Sequence, residues 1–482
     1  MASTTDTSNI GLNEETELPV IFYPPLYLER RGWVLDILRR ESITQVLDVG
    51  CGEGELLGCL CNPAPWLTPP PPSVLPPSLL TDITTREYME FSMTEDFKTQ
   101  CTGREDVLHI TALNGLDISA FDLKDAVEAV AIKDTTSLRK WQIQQRWEPL
   151  DVKIWSGGLE VFNPEFVDTE CIVATEVVEH LPEAILQDFA PVLLGLYHPR
   201  WLLITTPSYT FNARFTPPDA PPSARKGFLD PTGRTDRIFR HDDHKFEWTV
   251  QEFADWCRDV ANQWDYEVEI GGVGLPTEAD PYGRDAALGY ASQTAAFRRK
   301  EGEEFAQRRR SRCQELGLLQ SMSRRPGHLQ LANYHHTPSS FAKLPSSLPV
   351  IADAVKQKMN EFRDGAVPLR ELWFEADISL FCGGWVELLV AAVNEDPGLT
   401  LRKAENEYGT RWVDSISSDD GEASLTEEHA TALETSTSPL RWADDNQESY
   451  VTNERQSWSS SPEVRWDTDH IGWGEPVSSD WS

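Results

Sequence analysis

Positive charge is what this 482-residue chain is shortest of: 43 Lys and Arg stand against 78 Asp and Glu, a formal net charge of −35. That balance excludes a protein that coats nucleic acid by bulk attraction, because phosphate contacts need Lys and Arg, so any such contact must rest on local basic segments. Long apolar runs are also missing. The best, 378–393, is short and interrupted by Glu387, and no apolar stretch follows a basic start; both facts argue against secretion and membrane spanning. The eight cysteines are scattered, and Cys59 and Cys61 are too close for a CxxC hook and lack a partner pair. They read as reduced thiols, and the expected location is cytoplasmic, nuclear or both. No fixed-period repeat is visible.

What is present is an alternation of short apolar strands with helical segments. Val46-Leu47-Asp48-Val49 runs into Gly50-Cys51-Gly52-Glu53-Gly54, and Glu55 and Leu56 open a helix, which is strand, glycine turn and helix in order. Further strands are predicted at 107–117, 151–155, 171–175 and 201–205, with a helix over 122–138. The pattern predicts an α/β fold with a doubly wound, Rossmann-like sheet. Residues 1–18 are expected to be disordered and 19–299 to form the α/β domain, interrupted near 62–103 by a mobile, proline-rich insertion. Residues 300–397 read as a small basic and helical extension, with helices around Met359 and Leu388. From 398 to 482 the chain is Ser/Thr-rich and acidic, with 18 acidic and 6 basic residues after position 400, a composition expected to be disordered.

Gly50, Gly52 and Gly54 let a backbone approach a ligand, although such a turn can also be purely structural. Asp117 ends the second strand, where a carboxylate can accept hydrogen bonds from a ribose diol; capping the next helix is its other reading. The turn lacks the last glycine of a dinucleotide fold. Its GxGxG form resembles class I S-adenosylmethionine-dependent methyltransferases, which implies that cofactor and a seven-stranded sheet.

In Thr175-Glu176-Val177-Val178-Glu179-His180, the spacing predicts Glu176, Glu179 and His180 on one helical face after a strand's carboxyl end, where open α/β sheets bind substrates. Solvated acids at a helix start would look the same. His244, in Asp243-His244-Lys245-Phe246-Glu247-Trp248, is a candidate fourth ligand, with His241 as its alternative. Two carboxylates and two imidazoles suit Mn2+, Co2+ or Fe2+ better than Mg2+.

At these residues the sequence resembles the small-RNA 3′-end 2′-O-methyltransferases of the Hua-enhancer type. Phe22-Tyr23-Pro24-Pro25-Leu26-Tyr27 with Arg30, Thr206-Pro207 with Phe211-Asn212, the Asp243–Trp248 segment, Gly274, and Gly289-Tyr290-Ala291-Ser292-Gln293 to Phe297 carry the resemblance, over roughly 20–299. Ser208 departs from it, standing where the family often has asparagine. The resemblance implies Glu176, Glu179, His180 and His244 as ligands of one divalent ion (Mn2+, Co2+ or Mg2+). It implies Gly50, Gly52 and Asp117 as cofactor contacts, with Gly157 and Gly158 in the place of a further contact.

It also implies methylation of the 2′-hydroxyl of a small RNA's 3′-terminal nucleotide, protecting that end, with His180 or His244 assisting as base. Arg214, Arg225, Lys226, Arg234, Arg237 and Arg240 are candidate RNA contacts. Arg308, Arg309, Arg310 and Arg312 fit RNA or a solvated helix face equally, and Tyr209 or Phe211 could stack on the last base or equally pack in the core. Trp442, Trp458, Trp466, Trp473 and Trp481 resemble hooks for an Argonaute-type protein; incidental placement or docking on the enzyme's own surface is the other reading. The rival reading is a metal-dependent small-molecule O-methyltransferase, against which His244 and the basic stretch discriminate.

Overall fold

The computed structural model describes residues 17–76, 107–133, 144–221, 224–322, 327–363, 365–405 and 412–418. The N-terminal 16 residues, most of the insertion and the five tryptophans of the tail lie outside the described residues.

Eight strands form one sheet: β1 (Gln45–Val49), β2 (Ala112–Asp117), β3 (Leu150–Ser156), β4 (Cys171–Thr175), β5 (Trp201–Pro207), β6 (Tyr266–Val273), β7 (Ser292–Arg299) and β8 (Leu329–His336). Their order is β8-β3-β2-β1-β4-β5-β7-β6. β1 to β5 are parallel, β7 is antiparallel to both β5 and β6, and β8 is antiparallel to β3. The central strands read as continuous apolar runs because both faces are covered. On one face Val46, Leu113, Val152 and Val173 pack under α1 (Leu26–Arg40), α2 (Glu55–Leu60) and α3 (Asp122–Val130). On the other, Leu47, Ile172, Ala174 and Ile204 pack under α4 (Glu183–Ala190) and α5 (Val250–Trp264), with Cys313 of α6 (Glu303–Glu315). Strand order reverses between β1 and β4, which opens the crevice at their carboxyl ends where ligands bind in such sheets.

Three features differ from the sequence reading. The sheet has an eighth strand, β8, drawn from the extension; its alternating exposure marks a half-covered edge rather than a core strand. Regular structure also continues past 397: β9 (Ala366–Pro368), β10 (Leu399–Glu405) and β11 (Trp412–Ser418) form a second sheet in the order β9-β11-β10. Third, the described part of the proline-rich insertion is packed. Leu67 and Trp147 join a core with α7 (Leu348–Phe362) and α8 (Val386–Glu395), and the Nε1 groups of Trp147 and Trp373 both donate to the Pro65 carbonyl, at 3.1 and 3.0 Å.

Placement follows from direction. α2 leads away from the glycine turn, and Trp147 lies just before β3 begins, so this third core sits at the amino-terminal edge of the strands, opposite the crevice. β8 spans the two edges, with Leu329 opposite Ser156 and His336 opposite Leu150. Among the described residues no helix is long and apolar enough to cross a membrane.

Leu67→Ala removes a side chain that is 1% exposed and should lower the unfolding free energy by about 2–4 kcal/mol, read from urea denaturation. A change below about 0.5 kcal/mol, the range of an ordinary surface substitution, would show that the segment is not part of this core.

Candidate active site

The glycine turn is fixed by geometry that only glycine satisfies without strain. Gly54 has φ 81°, and a Cβ there would lie 2.7 Å from the Ala126 Cα; Gly50 has φ 72°, and a Cβ would lie 2.5 Å from Val177 Cγ2. The second contact brings the turn against the Glu176–His180 segment. Asp117 locks the same turn: one carboxylate oxygen accepts from the Gly52 N–H at 2.9 Å and the other from the Ser119 N–H at 2.7 Å. Asp117 thus holds the turn but does not cap α3, whose N-cap Phe121 makes no side-chain cap hydrogen bond.

Gly157 and Gly158 extend from β3 at the same edge. The ring of His328 lies against Gly157, where a Cβ would come within 2.3 Å of its Cδ2, and its Nε2 is 2.9 Å from the Gly158 carbonyl oxygen. Burial lowers the His328 pKa, so the neutral ring donates to that oxygen. Nothing in the sequence signalled this partner, which comes from beyond the α/β domain.

The metal segment differs from the predicted helix. Glu176 takes a left-handed φ of 55° and its N–H donates to the Thr205 carbonyl at 2.9 Å; Val178–His180 then forms a single 3-10 turn. Glu176 stays close enough to Glu179 to raise its pKa but takes other partners. Its carboxylate pairs with Arg30 at 2.9 Å and accepts from Thr205 Oγ1 at 2.8 Å. Glu179, His180 and His244 do converge, each offering a ligand atom within 4.8 Å of the others. Of the four expected ligands, three offer atoms to one point, and Glu176 is held on Arg30.

Glu179 is fully buried. Its Oε2 accepts from Thr206 Oγ1 at 3.0 Å, while Oε1 has no hydrogen-bond partner among the described residues. Burial, then the nearby Glu176 charge, pushes its pKa well above the usual carboxylate range. A buried, half-satisfied carboxylate beside two imidazoles is the donor set a divalent cation would satisfy. The Lys245 N–H donates to the Glu179 carbonyl at 2.7 Å, which clips the His244 segment onto this turn. The His180 and His244 ring centroids are 4.9 Å apart. Burial lowers the His180 pKa, partly offset by Asp243, so His180 is neutral and able to act as a ligand. The alternative His241 instead stacks on His244 at the exposed rim, bonded to Asp243.

The expected RNA contacts fare unevenly. Arg214 is buried against Asp280, Arg309 is buried beneath the β6 edge, and Phe211 packs between Phe22 and Phe215, so none of these meets a nucleotide. Arg237 is bidentate to Glu252 and covers the Tyr209 ring at 4.7 Å. Arg240 pairs with Glu17 and lies over Phe215. Arg234, Arg308 and Arg310 make exposed ion pairs with Glu183, Asp265 and Glu303. Such surface pairs are weak and can be exchanged for a phosphate. Arg312 bonds Gln263 and lies over Trp264, while Arg225 reaches the Tyr209 hydroxyl at 3.5 Å.

Sequence reasoning also missed Asp48, buried in β1. An acid inside an apolar strand was the available signal. Burial, and secondarily the Asp117 charge, raises its pKa to about 8.

The strand order, the glycine turn and the aspartate at the end of β2 define a class I methyltransferase fold. By sequence the chain is similar to small RNA 2′-O-methyltransferases. It is 29% identical to that of Arabidopsis thaliana over 296 residues (60% of this chain, 24% of the relative). It is 27% identical to that of Schizosaccharomyces pombe over 258 residues (53% and 54%) and 30% identical to that of Drosophila melanogaster over 299 (60% and 59%). The chain therefore spans from a quarter to about six-tenths of the length of these curated relatives. No protein-family model matches. Among solved structures, the small RNA methyltransferase HEN1 aligns at 23% identity and TM-score 0.40, over 66% of this chain and 28% of that one. The fold assignment rests on the strand order, not on that superposition.

Asp48 gives the ligand-free domain a pH signature. The folded chain keeps a proton to about pH 8 that the unfolded chain releases near 3.8, so this stabilisation is full below 3.8 and is lost as the pH rises through 8. Asp48→Asn should gain melting temperature relative to wild type between pH 5 and 8. A constant difference across that range would contradict the assignment.

Proposed function

We propose that this chain transfers the methyl group of S-adenosylmethionine to the 2′-hydroxyl of the 3′-terminal nucleotide of a small RNA. The observation that carries this reading is the buried Glu179 carboxylate with His180 and His244 beside it, abutting the glycine turn through Val177. Its position at the switch point suits a reaction between a bound cofactor and a second substrate. The similarity to small RNA 2′-O-methyltransferases supports the substrate class, and the motif around His244 favours it over a small-molecule acceptor.

Gly50, Gly52 and Gly54 would let the cofactor approach the backbone, with Asp117 at its ribose and Gly157 and Gly158 beside it. Asp48 offers a buried carboxylate to the cofactor's cationic amino group. Glu179, His180 and His244 would hold one divalent ion, with Glu176 available only on release from Arg30. When bound, such an ion supplies Lewis-acid chemistry that lowers the pKa of a hydroxyl group. An imidazole spending its free nitrogen on the ion cannot also take the proton, so only a histidine outside the ligand set can act as base. A free terminal ribose is required, and a 3′-phosphate or an existing 2′-O-methyl group should abolish turnover.

Glu179→Ala and His244→Ala should each reduce Mn2+ affinity and methyl transfer by more than about 100-fold. S-adenosylmethionine affinity should change less than about threefold, which is under ~0.7 kcal/mol. Calorimetry and a labelled methyl donor read the two quantities separately; wild-type turnover in either variant would overturn the metal assignment. Because burial holds the Glu179 pKa above the usual carboxylate range, Mn2+ binding should weaken as the pH falls, which calorimetry at several pH values reads.

We also propose that the tail recruits an Argonaute-type protein through its tryptophans. Full-length chain should capture such a protein, and a version with the five tail tryptophans changed to alanine should not. Equal capture by both would remove the idea.

A further inference from the structure

We propose that Glu247 and Asp243 are positioning residues, each fixing one imidazole so that its Nε2 faces the buried Glu179 carboxylate. The inference rests on the metal reading above and assigns roles that the resemblance did not supply.

Glu247 is 1% exposed, and each of its oxygens is engaged. Oε1 lies 2.8 Å from His244 Nδ1 and accepts the Arg240 N–H at 3.0 Å, while Oε2 accepts from Asn212 Nδ2 at 2.6 Å. Asn212 belongs to the turn following β5, so the carboxylate ties that turn, the Arg240 backbone and the His244 ring to one point. A buried carboxylate in this position can only accept from the ring, which places the proton on Nδ1 and leaves Nε2 as a lone-pair donor.

The neighbouring imidazole has a looser version of this contact: His180 Nδ1 lies 3.0 Å from Asp243 Oδ2 as an ion pair. Two residues of one short segment thereby orient two rings from different parts of the chain: Asp243 reaches across to His180, and Glu247 reaches back to His244. The difference between them is burial. Asp243 is half-exposed and also bonds His241, whereas Glu247 has no route to solvent that would replace a lost partner. Glu247 should therefore matter more.

The pattern of a carboxylate behind a histidine behind a cation is the usual way ring orientation and tautomer are fixed at metal sites, and loss of the outer partner typically weakens metal binding roughly 10–100-fold. A carboxylate that packed without the Nδ1 contact would not select a tautomer.

The test uses the full chain and Mn2+ as the probe. By electron paramagnetic resonance or calorimetry, Glu247→Gln should weaken Mn2+ binding about 10–100-fold, Asp243→Asn should weaken it less, and S-adenosylmethionine affinity should stay at the wild-type value in both. Glu247→Asp should recover part of the loss. A folded Glu247→Gln that binds Mn2+ like wild type overturns the positioning role alone. A wild-type chain that binds no Mn2+ overturns the metal reading and this inference with it. Should Glu247→Gln fail to fold, long-range proton–nitrogen spectra of the metal-free wild type decide instead, with the His244 signals assigned by their loss in His244→Asn. Protonated Nδ1 on His244 supports the proposal, and protonated Nε2 overturns it.

Discussion

The backbone hydrogen bond from the Lys245 N–H to the Glu179 carbonyl joins two segments more than sixty residues apart in sequence, and the candidate site depends on it. Without it His244 would be one more loop histidine. With it, an imidazole from the segment after β5 meets the turn after β4, and Glu179 is sealed from water with one carboxylate oxygen unsatisfied. A buried ionised carboxylate is costly unless paired. That cost, with the nearby Glu176 charge, is what raises the Glu179 pKa.

The same economy governs the glycine turn. Asp117 spends both oxygens on backbone donors, and Gly50 admits Val177 to the space a side chain would fill, so the glycine turn and the Glu176–His180 turn are one packed unit. The third core lies at the other edge of the sheet, where Trp66, Leu67 and Trp147 enter it. β8 connects the two edges, and His328 at its start supports Gly157 and Gly158. The extension thus reaches the crevice through this strand.

Local patterns were legible in the sequence because apolar runs and glycine turns report on their own neighbourhood. β4 and the start of β5 fall where the pattern put them, and Gly50, Gly52, Asp117, Glu179, His180 and His244 all reach the crevice. What failed depends on distant partners. Helical spacing predicted Glu176 on a shared face, but a left-handed turn and Arg30 divert it. Arg214 and Arg309 read as free cations because their partners lie far along the chain or in the backbone. β8 and the strands beyond 397 have the polar composition of edge and surface strands, so they carry little period-two signal.

The most direct test of the account is where the methyl group goes. Full-length chain, Mn2+ and S-adenosylmethionine with a labelled methyl group would be given a short RNA carrying a normal 3′-terminal ribose, and in parallel the same RNA with a 2′-deoxy terminal nucleotide. The account predicts label in the 2′-O-methylated terminal nucleoside of the first RNA and none in the second. Equal labelling of both, or transfer only to a phenolic small molecule, would contradict it.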